Sequence, residues 1–333
     1  MARHTPPRKR GSWRLATGLV AASAGAASAL ALGNWLARVG VGAPETALSG
    51  ETGYYPWTQG SLRYTVKGRG EPLALIHGIY PGASSFEYRK VFDRLAERYR
   101  VFALDLLGFG QSGRPAIDYT PALYVELIED FLRQVVGAAD HPAHVIASGM
   151  SAAFVIHAAA RRPEYFSSLA LIEPEGLSGD ARPATQLALV GRRALLRSPL
   201  LGEGLYNLAV SRPGLRRMLG RLAYSGARQI SDDVLDQYYT MAHQPGARFA
   251  PADALAGALD TSVRDAFANL SIPTLLIWGR YDRGAPVSRA RAFQKLRPGL
   301  ELRVFPTGGI PQEEAPDAFL REVSAWLGAL ARA

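Results

Sequence analysis

The chain of 333 residues has no cysteine. That excludes disulfides and thiolate-ligated metal, and it leaves the redox character of the compartment unmarked. Spacings of the H-x-x-x-H kind are absent, and neither a resident metal nor a cofactor is expected. No segment repeats itself. Acidic residues are missing from the first 14 positions, which carry Arg3, Arg8, Lys9, Arg10 and Arg14. Charge of either sign is missing from Leu15 to Ala37.

At a helical rise of about 1.5 Å per residue, that uncharged run is long enough to cross a hydrocarbon core of about 30 Å. Its residues are mostly Ala, Gly and Ser. Three readings stay open: a signal anchor with Trp35 as its interfacial aromatic, a signal peptide cleaved near Ala27-Ser28-Ala29, or an organelle transit peptide or alanine-rich leader. The first implies a membrane-anchored protein with its globular part outside the cytoplasm. The second implies secretion, and the third an organellar or soluble chain. Residues 1–39 form this N-terminal unit, and residues 40–59, rich in Gly, Pro, Thr and Ser, read as a linker.

The remainder is 48% hydrophobic by the whole-chain count, enough for one large α/β domain. Apolar runs at 73–76, 101–104, 145–147, 169–172, 273–279 and 302–305 predict strands. Amphipathic stretches at 91–99, 119–136, 288–296 and 316–330 predict helices. This alternation argues a mostly parallel, doubly wound sheet. The pattern stops between 180 and 269, where Pro183, Pro199, Pro213 and Pro245 break a helical segment. The core is therefore expected at 60–179 and 270–333, with a helical cap at 180–269 over the sheet's carboxyl edge. The net charge is +9, and nine arginines face two acidic residues between 180 and 230. An anionic surface is the expected partner. Nucleic acid is not, because no binding motif accompanies the charge.

At Ala147-Ser148-Gly149-Met150-Ser151 an apolar strand turns into a helix through small residues, which a tight bend requires. Four other motifs flank it in order: Leu75-Ile76-His77-Gly78, Asp105 to Ser112, Ile272 to Arg283 with Trp278-Gly279, and Gly308-Gly309-Ile310-Pro311 before Glu313-Glu314. Together they make the chain from about Gly60 onward resemble the α/β-hydrolase superfamily, in its esterase, epoxide-hydrolase and haloperoxidase-like branch. The resemblance implies an α/β-hydrolase fold with a cap and a Ser-His-acid triad at known places.

By that alignment the nucleophile position is Gly149 and the histidine position is Gly309, while Asp282 stands at the triad acid position. The oxyanion hole falls on the backbone N–H groups of Ile79 and Met150, shaped by His77 and Gly78. Backbone donors do not depend on side-chain identity, so the hole is expected to survive the loss of the triad. Ser148 and Ser151 flank the bend and are the candidate substitute nucleophiles; otherwise they satisfy the turn. His157, about two turns along the following helix, is expected to pack inside, and His243 in the cap is the candidate replacement base. Three functions follow as alternatives. One is a catalytically impaired, membrane-associated protein binding a small apolar or acyl-type ligand under its cap. Another is a carboxylic-ester hydrolase using Ser148 or Ser151. The third is a membrane-tethered interaction protein.

Overall fold

Apolar runs bounded by Gly and Pro become eight strands in the computed structural model, which describes residues 28–35, 39–44, 48–177 and 185–332. They are β1 (Glu51–Trp57), β2 (Gly60–Lys67), β3 (Pro72–Ile76), β4 (Arg100–Leu104), β5 (Ala143–Ser148), β6 (Phe166–Ile172), β7 (Thr274–Gly279) and β8 (Glu301–Phe305). They form one sheet in the order β1-β2-β4-β3-β5-β6-β7-β8. The β1–β2 and β2–β4 pairings are antiparallel and the rest parallel.

Side chains alternate across each central strand. Ala74, Ile76, Val145, Ala147, Leu276 and Trp278 enter one core, while Leu73, Leu75, Ile146, Leu275 and Ile277 enter the other. Both faces are therefore apolar and both are covered, as a parallel sheet requires. The first face carries α3 (Pro121–Phe131) and α4 (Gly149–Arg161), and the second carries α13 (Pro316–Leu330) with the short α2 (Phe92–Leu95). Residues 28–35 are helical and are called α1.

The linker expected at 40–59 is corrected by the structure, since residues 51–57 form β1. It is an edge strand, largely exposed, with a Gly and a Pro in it, so its composition resembles a loop. Trp57 fixes it by donating its indole N–H to Asp130 at 3.0 Å. Pro56 sits on this outer strand, which spares the sheet a missing ladder donor. At the opposite edge, β8 carries Arg303, paired with Glu301 at 2.8 Å and Glu322 at 2.9 Å.

The cap comprises α5 (Gln186–Arg197), α6 (Leu201–Ala209), α7 (Arg212–Leu222), α8 (Asp232–Ala242) and α9 (Phe249–Ala256). Its own small core gathers Val210, Leu215, Leu219, Tyr224, Leu235 and Tyr238. Next comes α10 (Arg264–Ala268), which the proline pattern assigned to the cap. It packs instead on α4 and on α11 (Ala290–Leu296), with Phe267 meeting Phe293 edge to face. Two carboxylates fasten the cap. Asp253 of α9, fully buried, accepts from Arg193 at 2.7 Å through both oxygens and from the Tyr119 N–H at 3.0 Å. Glu314 of α12 (Pro311–Glu314) accepts from the Ser225 hydroxyl at 2.7 Å and from the Gly308 N–H at 2.5 Å. Among the described residues no helix is long and apolar enough to cross a membrane. Residues 15–27 and 36–37 of the predicted membrane segment lie outside the described residues.

Candidate active site

β5 passes into α4 with no loop between them, and the residue at the bend, Gly149, has φ +55°. That left-handed conformation disfavours side chains. A Cβ placed on it would meet only Glu175 Oε1, at 3.9 Å. The space above the bend is open. Ile79 and Met150, the two residues expected to supply oxyanion-hole amides, are both half-buried, and neither N–H has a backbone acceptor among the described residues. Met150 lies in the first turn of α4, where helix amides have no intrahelical partner. The two N–H groups are thus available to an oxygen atom of a ligand.

His77 has no freedom to move a proton. Its Nε2 accepts the Leu106 N–H at 3.1 Å, so Nδ1 carries the hydrogen and donates to the Gly78 carbonyl at 2.7 Å. It ties the loop after β3 to the loop after β4. Ser148 points beneath the bend and donates to Glu87 at 2.5 Å. Ser151 is fully buried, and its hydroxyl has no partner among the described residues. His157 bonds Thr261 at 3.0 Å, with burial pushing its imidazole pKa down. His243 bonds the Tyr239 carbonyl in the cap at 2.8 Å. None of these four side chains is placed against the open side of the bend.

Glu87 was not anticipated from the sequence. Its buried carboxylate accepts from Ser148, from Gln312 at 2.7 Å, from the Tyr80 hydroxyl at 3.0 Å and from the Gly78 N–H at 3.1 Å. All four partners aim a donor at its two oxygens. Glu87→Gln would set an NH2 group among donors. It is expected to lower unfolding free energy in urea by about 2 kcal/mol, and an unchanged midpoint would show that the network is not structural.

The arrangement around Gly309 is the least expected. A Cβ there would lie 2.7 Å from Asp282 Oδ2 and 2.8 Å from Glu173 Oε2, closer than real Cβ atoms come. Asp282 Oδ1 accepts the N–H groups of Gly284 at 2.5 Å and Ala285 at 3.2 Å. Glu173, at the end of β6, accepts the Gly279 N–H at 2.8 Å and is hydrogen-bonded to Asp282. Burial, and then the neighbouring Asp282, push the Glu173 carboxyl up to about 10. At neutral pH it holds a proton, which it donates to Asp282. Its backbone sits at φ +47°, the only such non-glycine among the described residues. Glu175 is reached by solvent but has protein packed around it, which raises its carboxyl while Arg289 opposes the rise. The structure therefore brings Gly149, Asp282 and Gly309 together and adds Glu173 and Glu175. An acid directly after an apolar strand, at the sheet's carboxyl end, was the available signal for Glu173. Among the described residues no group of three His, Cys, Asp or Glu is placed to hold a metal.

A model of the alpha/beta hydrolase family matches residues 73–322. The 2-hydroxy-6-oxo-6-(2'-aminophenyl)hexa-2,4-dienoic acid hydrolase of Metapseudomonas resinovorans is 26% identical over 243 residues, 70% of this chain and 76% of that protein. An uncharacterized protein of Mycobacterium tuberculosis is 28% identical over 278 residues, 79% of this chain and 77% of its own length. Among solved structures, a serine hydrolase involved in carbazole degradation superposes with a TM-score of 0.69 at 23% identity, over 84% of this chain and all of the other. A membrane phospholipase A superposes with a TM-score of 0.67 at 23% identity, over 96% of this chain and 99% of the other.

Proposed function

Because the chain belongs to the alpha/beta hydrolase family, we propose that it holds a small apolar, acyl-type ligand beneath its cap without forming a covalent bond to it. The ligand's carbonyl or carboxylate oxygen rests on the Ile79 and Met150 amides. One observation carries this reading: residues 149 and 309 bear no side chain, and a Cβ on residue 309 would lie within 3 Å of the Asp282 and Glu173 carboxyls. Nucleophile and base are then both missing, and covalent acyl transfer has no route. The relative from Metapseudomonas resinovorans is a hydrolase of a dienoic acid, which supports a carbonyl-bearing ligand. The uncharged run 15–37 tethers the domain to a membrane, with the site outside the cytoplasm.

A second reading is favoured by the proton shared at the bend. Asp282 takes a proton from water as the hydroxyl adds to the bound carbonyl carbon, the Glu173 proton passes to the departing oxygen, and the proton on Asp282 then returns to Glu173 through their shared hydrogen bond. Ester and water become acid and alcohol with no intermediate on the protein.

The test of the first reading is Gly149→Leu, which fills the space above the bend. Titration with medium-chain carboxylic acids, followed by tryptophan emission, is expected to show at least a tenfold loss of affinity (about 1.4 kcal/mol). Unaltered affinity overturns the reading. Stoichiometric fluorophosphonate labelling of Ser148 or Ser151 would also sink it, in favour of the serine-based alternative. Slow ester hydrolysis that vanishes in Glu173→Gln, with binding retained, selects the second reading.

A further inference from the structure

The arginine-rich cap first suggested an electrostatic contact with anionic lipid. The structure weakens that route. Arg193 and Arg197 turn inward to Asp253, Arg212 pairs with Asp236 at 2.9 Å, and Arg216 pairs with Asp232 at 2.5 Å. What remains exposed on α5 and α6 is largely apolar. On α5, Arg193 and Arg197 turn inward, while Leu187, 83% exposed, Val190 and Leu195 are exposed together with Arg192. On α6, Leu201, Leu205 and Leu208 follow at i, i+4 and i+7, one stripe along the helix, and all are exposed.

The same inversion governs α1. Its amide side chain, Asn34, is 7% exposed, while Leu32 and Trp35 face outward. Asn34 donates to the Leu200 carbonyl at 3.3 Å and accepts from Asn207 at 3.0 Å, which docks α1 on α6. A helix bathed in water places its leucines inward and its charges outward. Three adjoining helices here do the reverse.

We infer that the face made by α1, α5 and α6 lies in a lipid bilayer, with its leucines among the acyl chains below the headgroups. The occupant follows from the chain's own course. Residues 28–35 are the C-terminal part of the uncharged run that starts at Leu15, and five basic residues precede that run. Docking through Asn34 puts the beginning of α6 wherever the run meets the membrane. The leucine stripe beside it is then at the same depth. This adds the cap's immersion to the tether already proposed, and it rests on that tether for placing the face at the membrane.

The lack of cysteine makes the test direct. The full-length protein is reconstituted in phosphatidylcholine–phosphatidylglycerol vesicles as Leu187→Cys, Leu205→Cys or Leu208→Cys, each labelled with an environment-sensitive nitrobenzoxadiazole. Tyr54→Cys on β1 is the water-facing control. Emission from the three cap sites is expected to shift to the blue and to fall by about half with doxyl-labelled lipid, as for a helix lying in the interface. Tyr54→Cys is expected to show neither effect. Cap labels that emit like the control, on protein that stays with the vesicles after an alkaline wash, overturn the inference and leave the tether standing. Protein washed off the vesicles overturns both. Blue-shifted cap labels that doxyl lipid does not quench assign the face to contact with a second copy of the chain, and this too overturns the inference.

Discussion

The variant carrying Gly149→Ser and Gly309→His is expected to hydrolyse p-nitrophenyl butyrate no faster than the wild type, although it restores both missing triad members. A histidine at 309 must bring its Cβ to within 3 Å of the oxygens of Glu173 and Asp282, and to 3.2 Å from the Leu222 carbonyl. The carboxyls are held by the amides of Gly279, Gly284 and Ala285, so they do not swing aside freely. The imidazole is displaced from Asp282 and from the serine. Adding Glu173→Ala removes the carboxyl at 2.8 Å, and with it the hydrogen bond that holds Asp282, while keeping Asp282 as the orienting acid. The triple variant is expected to exceed the wild type on the order of 10²-fold, and to accept a fluorophosphonate at residue 149. That is well short of a native triad, whose members act as a unit worth about 10⁶ in kcat. Serine in the left-handed conformation of Gly149 costs about 1–2 kcal/mol, which the fold must absorb. Activity in the double variant equal to that of the triple would show that Glu173 does not occupy the imidazole's place.

Stability should fall as pH rises through neutrality, and Glu173→Gln should remove most of that fall. The Glu173 carboxyl titrates at about 10 in the folded chain and near the ordinary glutamate value of 4.5 in the unfolded one. Between those values the folded state binds the extra proton. Its contribution is complete below about pH 4.5 and is lost progressively as pH approaches 10. Within that window the slope reaches about 1.4 kcal/mol per pH unit for one proton. Glutamine keeps an acceptor for the Gly279 N–H and a donor for Asp282, so it mimics the protonated form at every pH. Urea unfolding at pH 4.5, 6, 7 and 8 is expected to give similar curves for the two proteins at pH 4.5 and an increasing advantage for Glu173→Gln above it. Parallel slopes across the range would mean that Glu173 carries no extra proton in the fold.

Much of this was legible in the chain. Periodicity placed β3, β4, β5 and α13 to within a residue or two, because both faces of the central sheet are buried and their strands are uninterrupted aliphatic runs. The small-residue bend and the Trp278-Gly279 strand end brought Gly149, Asp282 and Gly309 to one place. β1 was hidden because an edge strand exposed along most of its length has no apolar signature. α10 was read as cap because its boundary is set by packing on α4, which leaves no mark in proline spacing. Glu173 and Glu87 were missed for a shared reason. A buried carboxylate is made tolerable by donors from distant segments, such as Gly279 for one and Gln312 for the other; Glu173 had only its place at a strand end to mark it, and Glu87 had no local mark at all. The arginines of α5 misled in the opposite direction. Their number was plain from the sequence, but their inward direction depends on Asp253, about 60 residues further along the chain.

The two borders of the sheet have a bearing on how copies of the protein can meet. Pro56 leaves a gap in the donors of β1, and the charged pairs of Arg303 stud the far side of β8. Neither margin offers an unbroken ladder to a strand from another molecule. Crowding therefore does not extend this sheet into a shared ribbon, even where a membrane confines many copies to a plane and multiplies their encounters. Contacts between neighbours are left to helices and loops, and amyloid-like growth from the folded state has no template on which to start.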